Sequence, residues 1–138
     1  MKVISLWQPF ASLIFAGVKG FETRSFYYPK KLMDKRIAIH ATAKFTPKSM
    51  VSDDLDELCI RTFGENYRDT LPRSAILGTV RLDGAYGTEM VRGYVSDDEI
   101  TAGDWSDGRV VWKLGAVERL AAPLTMSGRQ GWWSWDAQ

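Results

Sequence analysis

The sequence contains a single cysteine and a single histidine, Cys59 and His40. A single cysteine excludes a disulfide within the chain. One cysteine and one histidine are also too few for a metal site built from several Cys and His ligands. We therefore expect no bound metal and no other cofactor. The absence of disulfides also favours an intracellular, cytoplasmic protein, because disulfides belong mainly to secreted proteins.

Long apolar runs are absent as well. None approaches the ~20 residues that a membrane-spanning helix requires, and the opening MKVISLWQPF lacks the pattern of a secretory signal peptide. The composition, with 45% hydrophobic and 25% charged residues, is typical of a globular protein. No repeat or linker interrupts the sequence, so we expect one domain over 1–138 and no membrane partner.

A large net charge is also missing, since the chain carries only +1, but the charges are unevenly distributed. Residues 19–48 contain eight lysines and arginines against two acids, whereas residues 49–70 contain six acids against two arginines. Such a basic segment indicates either a local surface that faces an anion or a solvated lysine-rich loop. Five of the six tryptophans lie in the last third of the chain, with Trp7 as the exception.

The hydrophobic pattern predicts about five or six strands and two or three short helices. Strands are expected over 2–6, 20–26, 36–43, 74–90 and 108–120, followed by an edge strand in the tail 122–136. Helices are expected over 8–17 and 46–64, with a short helical turn within 95–105. Strands with helices placed mainly near the start favour an α+β pseudobarrel.

Individual residues refine these expectations. In the helix over 46–64, Thr46 is the expected N-cap and Pro47 the expected first-turn residue. Ser96 is the expected cap of the short helix. In the strand over 36–43, alternation places Ile37, Ile39 and Ala41 on one face and Ala38, His40 and Thr42 on the other.

The segment GVKGFETRSF places charged residues directly after the first helix. Gly17 is the expected residue after the helix end, and Lys19, Glu22 and Arg24 follow it. If 20–26 is a strand, Glu22 and Arg24 project to the same side. A lysine near a helix C-terminus is favoured by the helix dipole, so the three charges are interpreted either as a structural ion-pair cluster or as part of a binding site.

Four blocks of the sequence, in order, resemble the ASCH domains of the PUA-like superfamily. The opening ISLWQPFASLIFAGVKGFETRSF contains the family's G-x-K-x-x-E-x-R loop in full. RIAIHATA, ILGTVRLDG and VVWKLGAVERLAAPLTMSGRQGWW are similar to three later blocks, so the resemblance covers residues 3–135. It implies a PUA-like β-barrel of five to six mostly antiparallel strands, two to three short helices, and a cleft beside the loop.

Several residues are candidates for a ligand site in such a cleft. Lys19 and Arg24 offer cationic donors, and Glu22 offers an acceptor or a general base. Trp7 is able to stack a base or to continue the core of the first strand, and Gln8 to read a base edge or to cap the helix. The remaining candidates for ligand binding are Pro9, His40, Arg129 and Trp132.

His40 and the residues of the GRQGWW turn each have a structural interpretation as well as a ligand-binding one. His40 is predicted either as a ligand donor or acid/base group or as a hydrogen-bonded structural histidine. In the GRQGWW turn, Arg129 and Gln130 beside two tryptophans are typical of a single-strand binding edge, although at least one of Trp132 and Trp133 is expected in the core. Ser127 suits a turn or a ligand hydrogen bond equally well.

The resemblance implies three functions that the residues leave open. The first is binding of single-stranded RNA or of a modified nucleoside or nucleotide. The second is hydrolysis, either N(4)-acetylcytidine amidohydrolase-like with Lys19 and Glu22 as catalytic residues, or ribonuclease-like with Lys19 and His40. The third is a non-catalytic scaffold that contacts a protein through the tryptophan-rich tail, with the protein partner unspecified.

The amidohydrolase interpretation meets one departure from the family pattern. The amidohydrolases that the sequence resembles carry a threonine at the position of Glu22, and Thr23 should face the opposite side of the strand. An activated water with Glu22 as base is compatible with this departure. Such a mechanism requires a second carboxylate, for which Asp83, Glu89 and Glu118 are the candidates.

Overall fold

The computed structural model describes residues 1–136. Its strands are β1 (Lys2–Gln8), β2 (Phe21–Arg24), β3 (Arg36–Phe45), β4 (Ala75–Gly87), β5 (Val110–Thr125) and β6 (Trp132–Ser134). Its α-helices are α1 (Phe10–Phe15), α2 (Asp53–Phe63), α3 (Tyr67–Thr70), α4 (Thr88–Val91) and α5 (Asp97–Thr101). Short 3₁₀ turns lie at Lys30–Leu32, Lys48–Met50 and Arg92–Tyr94.

The six strands form one mixed sheet in the order β2-β5-β4-β3-β1-β6. Only β1 and β3 pair in parallel, and the other neighbours are antiparallel. The α+β class and the mostly antiparallel pairing are confirmed. The sheet is not closed into a barrel, because β2 and β6 are its two edges and do not pair with each other.

Strong curvature gives this open sheet its barrel-like interior. Trp132 of β6 stacks on Trp112 of β5 with ring centroids 5.7 Å apart, although three strands separate β5 from β6 in the sheet. The main core cluster fills the concave side and includes Ile37 and Ile39 of β3 together with Ile14 of α1. Residues 1–136 contain five α-helices rather than two or three, because α3 and α4 span only four residues each and carry weak sequence periodicity.

The alternation on β3 is confirmed by the core. Ile37, Ile39 and Ala41 belong to the main cluster, whereas Ala38 lies in a separate cluster on the other face with Val3 and Ile76. The second large cluster joins α2 to α1 through Leu58 and Leu13, among others. Helix α1 is therefore buried from two sides, which fixes the start of the loop that follows it.

The predicted N-cap of α2 is wrong. The Thr46 hydroxyl and backbone N–H both donate to the carbonyl of Gln8, at 2.8 Å each, so the Thr46 side chain is used to tie β3 to the end of β1. Pro47 precedes a 3₁₀ turn, and α2 begins at Asp53. Its N-cap is Ser52, whose hydroxyl accepts from the N–H of Leu55 at 3.1 Å.

Among the described residues, no helix is long and apolar enough to cross a membrane.

Candidate functional site

A cleft of about 1060 Å³ opens at the junction of β1, β2 and β3. Its walls also include residues 101–104, at the end of α5 and just beyond it, and residues 127–131 before β6. Six of the residues predicted from the sequence line it, namely Trp7, Lys19, Glu22, Arg24, His40 and Arg129. Their convergence from distant parts of the chain makes this cleft the candidate site.

The signature loop forms a buried ion-pair network in the cleft wall. The Nζ atom of Lys19 lies 3.4 Å from one carboxylate oxygen of Glu22, and the Nε atom of Arg24 donates to the other at 2.9 Å. Lys19 is 2% exposed and Glu22 is 8% exposed. The two cations fix the position of the carboxylate, and the contact between Glu22 and Arg24 confirms the same-side placement expected from alternation.

The loop is fastened to the segment that contains α5. The ammonium of Lys19 donates to the carbonyl of Ala102 at 2.7 Å. Glu99 accepts from the N–H of Gly20 at 2.8 Å, and the Thr23 hydroxyl accepts from the N–H of Asp104 at 3.1 Å. Thr23 also lines the cleft, but its hydroxyl is already used within the protein.

Glu99 is a buried carboxylate that the sequence reasoning missed. Ser96 caps α5 as predicted, with its hydroxyl accepting from the N–H of Glu99 at 3.1 Å. Burial raises the pKa of Glu99, and the N–H of Gly20 and the charge of Lys19 oppose that rise. Its second oxygen is buried without a hydrogen-bond partner among the described residues. No local signal distinguishes it from Asp97 and Asp98 beside it, neither of which is buried.

Trp7 presents an aromatic surface to the cleft. Trp7 is 36% exposed to solvent, and it lines the cleft instead of joining the core. The ammonium of Lys44 lies 4.5 Å from the centre of its ring, which is a cation–π contact. A flat ring beside a cation is suited to a base and its phosphate.

Gln8, Pro9 and Trp132 do not line the cleft. Gln8 is fully buried, and its amide bonds the backbone N–H and hydroxyl of Ser12 and the carbonyl of Pro72. This is the structural alternative, in which the amide ties the start of α1 to the loop before β4. Pro9 is buried at the same helix end. Trp132 packs on Trp112 in the core, so the structure brings none of these three predicted ligand-binding residues to the cleft wall.

His40 lines the cleft, but both of its ring nitrogens are engaged. Nε2 lies 2.7 Å from the carbonyl oxygen of Met126, and Nδ1 lies 3.1 Å from the hydroxyl of Ser5. Trp133 contacts the ring edge-on at 5.4 Å. His40 is 1% exposed, which fits the hydrogen-bonded structural interpretation.

Cations from several elements face the cleft. Of the eight basic residues between 19 and 48, only Lys19, Arg24 and Lys44 line it, so this segment does not form a single wall. The structure adds Arg129 and Arg109, of which Arg109 was missed; it donates to the carbonyls of Asp104 and Thr23. Five cations thus face two carboxylates, those of Glu22 and Asp104.

None of the carboxylates suggested as a second catalytic acid reaches the cleft. Asp83 pairs with Arg81, Glu89 accepts from the N–H of Gly108, and Glu118 lies 3.7 Å from Arg36. Each is held by residues outside the cleft wall. Within residues 1–136, no group of three His, Cys, Asp or Glu side chains is arranged to hold a metal ion.

Comparison with known proteins supports the fold. No protein-family model and no curated protein matches the sequence. The crystal structure of ASCH from Zymomonas mobilis is 18% identical, with 90% of this chain and 72% of that chain covered and a TM-score of 0.52.

Two mutant forms of the Zymomonas mobilis ASCH protein are similar to the same degree. One is 18% identical, covering 90% of this chain and 74% of that chain at a TM-score of 0.50. The other is 17% identical, covering 99% of this chain and 88% of that chain at a TM-score of 0.54. At such low identity the likeness establishes the fold alone, and the protein has the ASCH-like fold that its four sequence blocks predict.

Proposed function

We propose that this protein binds single-stranded RNA, or a modified nucleoside or nucleotide, in the cleft beside the signature loop. The observation that carries the proposal is the exposed ring of Trp7 in a cleft wall, with Lys44 over it. A base stacked on an aromatic ring contributes about 1–3 kcal/mol without requiring a particular sequence. At about 1060 Å³ the cleft has room for a nucleotide.

The charge of the cleft supports the same proposal. Arg24 uses only Nε for Glu22, and among the described residues its two terminal nitrogens have no hydrogen-bond partner. With Lys44 and Arg129, which also line the cleft, it offers donors suited to phosphate oxygens. Glu22 is neutralised by Lys19 and Arg24, so it adds little repulsion to an anion.

Lys19 provides a route to recognition of the base itself. An ammonium has three donors, and the carbonyl of Ala102 and the carboxylate of Glu22 account for two of them. In this proposal the third bonds a carbonyl of the base, or of an acyl group on it, from the cleft that Lys19 lines beside the Phe10 ring. Because Lys19 is buried and fixed, a ligand that lacks this acceptor leaves the donor unsatisfied, which favours ligands that carry it.

Hydrolysis of such a ligand is the second candidate, because Lys19 and Glu22 are buried together in the cleft wall. In this mechanism Lys19 polarises the acyl carbonyl and Glu22 accepts a proton from the attacking water. Binding ranks first because both oxygens of Glu22 already lie against cations, so neither oxygen is free to face an attacking water. A ribonuclease-like role with His40 is weaker still, since both ring nitrogens are occupied.

A protein scaffold that uses the tryptophan-rich tail has little support. Trp132, Trp133 and Trp135 are each partly buried and pack against the core clusters on the two faces of the sheet. Within the described part of the tail, these three tryptophans therefore form no fully exposed aromatic surface for a protein partner.

The test of binding is fluorescence anisotropy with a labelled, unstructured RNA of about eight nucleotides. We expect Trp7→Ala to weaken binding about tenfold through lost stacking. Lys44→Ala should weaken it and reduce its salt dependence, because one phosphate contact is removed. Lys31→Ala is the matched control, since Lys31 is equally exposed and basic but lies outside the cleft.

Two outcomes would contradict the binding proposal. If Lys31→Ala weakens binding as much as Lys44→Ala does, the RNA is held by scattered surface charge and not by the cleft. If Trp7→Ala binds as the natural protein does, no base stacks on its ring. Hydrolysis is tested separately by chromatography after incubation with N(4)-acetylcytidine, where release of cytidine that Glu22→Gln abolishes would support the second candidate.

A further inference from the structure

The segment between β5 and β6 crosses the sheet as a strap, here defined as residues 126–131. Because β4, β3 and β1 lie between β5 and β6, four strand spacings separate its ends, or about 19 Å along the sheet. The chain from Thr125 to Trp132 can reach about 25 Å, which is enough to cross the sheet directly. The strap lines the cleft with Arg129 and Gln130.

Few contacts hold the strap between its ends. The N–H of Met126 donates to the carbonyl of Ser74 at 2.8 Å, beside the first residue of β4. Beyond this point, no hydrogen bond within the described part of the chain involves residues 127–130. These residues are exposed and irregular. A side chain that holds the first residues of the strap therefore affects where Arg129, which follows them, lies.

His40 is placed to be that anchor. It lies on β3, the middle strand of the three that are crossed, and its Nε2 is 2.7 Å from the carbonyl oxygen of Met126. A carbonyl oxygen only accepts, so Nε2 carries the proton. In the neutral ring Nδ1 is then an acceptor, and it takes the proton of the Ser5 hydroxyl at 3.1 Å. That hydroxyl in turn accepts from Nε1 of Trp133 at 3.0 Å.

These hydrogen bonds form one directional chain across the sheet, from Trp133 through Ser5 and His40 to Met126. This chain of hydrogen bonds connects Met126, at the start of the strap, to Trp133 of β6, the strand that follows the strap. Gly128 packs on the same ring, because a Cβ at this position would lie 2.2 Å from Cε1 of His40. The ring is therefore covered by the strap, and the strap has no room to move inward.

We propose that His40 is a positioning residue, whose Nε2–H bond to the Met126 carbonyl fixes the strap so that Arg129 and Gln130 face the ligand in the cleft. This inference rests on the proposed function for the identity of the ligand. It assigns His40 no contact with RNA and no proton transfer. The effect on binding passes through the strap, and chiefly through Arg129, which is its only charged residue.

Two substitutions of His40 distinguish the loss of the hydrogen bond to Met126 from the loss of the packing that the imidazole ring provides. The amide nitrogen of a glutamine reaches the position of Nε2 and keeps a donor for Met126, whereas an asparagine reaches only the position of Nδ1 and Ser5. Both remove the ring that contacts Trp133 and Gly128, so they are matched for lost packing. We expect His40→Asn to weaken binding of the labelled RNA about tenfold and His40→Gln to restore most of that loss.

A double-mutant cycle with Arg129→Ala tests whether the effect passes through the strap. We expect Arg129→Ala to weaken binding of the labelled RNA in the natural background and to change little in the His40→Asn background. Independent, multiplicative losses would overturn the proposal, as would equal losses for His40→Asn and His40→Gln. If the natural protein binds the RNA but His40→Asn binds equally well, this inference fails while the proposed function stands.

Amide hydrogen exchange tests the anchor without any ligand. We expect residues 127–131 to exchange faster in His40→Asn than in His40→Gln, with the strands unchanged in both. Unchanged exchange in His40→Asn would overturn the anchor directly. If the natural protein binds no RNA while the exchange result holds, the proposed function fails and His40 is an anchor of the strap alone, which overturns its role in ligand binding.

Discussion

Replacing Lys19 by methionine tests whether the signature loop is a rigid, desolvated wall of the cleft. Methionine keeps the length of the side chain and removes the charge, so no large cavity is created. Lys19 bonds the carbonyl of Ala102 at 2.7 Å and lies 3.4 Å from Glu22, with a side chain that is 1% exposed. Removing one partner of a buried ion pair costs about 3–5 kcal/mol because the other charge is stranded.

The lower end of that range applies here. Arg24 still holds one oxygen of Glu22 at 2.9 Å after the substitution, so the carboxylate keeps one cation. We expect Lys19→Met to lower the free energy of unfolding by about 3 kcal/mol. With an m-value of about 2 kcal/mol/M, the urea midpoint followed by tryptophan fluorescence should fall by about 1.5 M. Lys31→Met is the control, because Lys31 is exposed and should change stability by at most about 0.5 kcal/mol.

The double variant Lys19→Met/Glu22→Gln identifies the cause of the loss. Replacing Glu22 removes the stranded carboxylate, so the double variant should lose less free energy of unfolding than the two single variants combined, with a coupling of about 1–3 kcal/mol. A loss below about 1 kcal/mol for Lys19→Met, or strictly additive losses, would show that water screens these charges. In that case the loop would not present fixed donors to a ligand.

Three further outcomes are expected for Glu99, Cys59 and Ser52. Burial raises the pKa of Glu99 above its ordinary value of 4.5, so its contribution to stability is fully present below that value and is lost as pH rises through the folded-state pKa. Glu99→Gln should therefore flatten the decline of the urea midpoint from acid to neutral pH, and an equally steep decline would contradict the raised pKa. Burial also raises the pKa of the Cys59 thiol to about 12, so a disulfide reagent should label Cys59 only after denaturant is added, and labelling of the folded protein would contradict its burial. Ser52→Ala should lower the unfolding free energy by about 1 kcal/mol through loss of the α2 N-cap, relative to Ser49→Ala, and equal effects would show that the cap bond contributes nothing.

The local pattern of the chain was sufficient to predict most elements and their faces. Alternation on β3 separates Ile37 and Ile39 from Ala38 because side chains of a strand point to opposite sides every second residue. Gly17 was predicted after the first helix, and it has the positive φ of +79° that this position favours. Ser96 was predicted as a helix cap, since a hydroxyl there accepts a free N–H of the first turn.

The candidate site was predictable in part, for the same reason. A strand period of two places Glu22 and Arg24 on one side, and the family resemblance placed them beside a cleft. Thr46 shows where local reasoning fails, because a hydroxyl next to a proline has the pattern of a cap but bonds the carbonyl of Gln8 from another strand. A sequence pattern indicates that a polar group needs a partner, and it does not say which of several partners the fold will supply.

What the sequence by itself determined is therefore the set of elements, their buried faces and the residues that form the signature loop. Only the tertiary structure decided that Lys19 bonds Ala102, 83 residues away, and that His40 bonds Met126, 86 residues away. Burial removes water as a hydrogen-bond partner, so each of these groups must take the acceptor that chain packing brings within reach. Periodicity encodes the side to which a residue points, but the partner on that side depends on how the whole sheet curves.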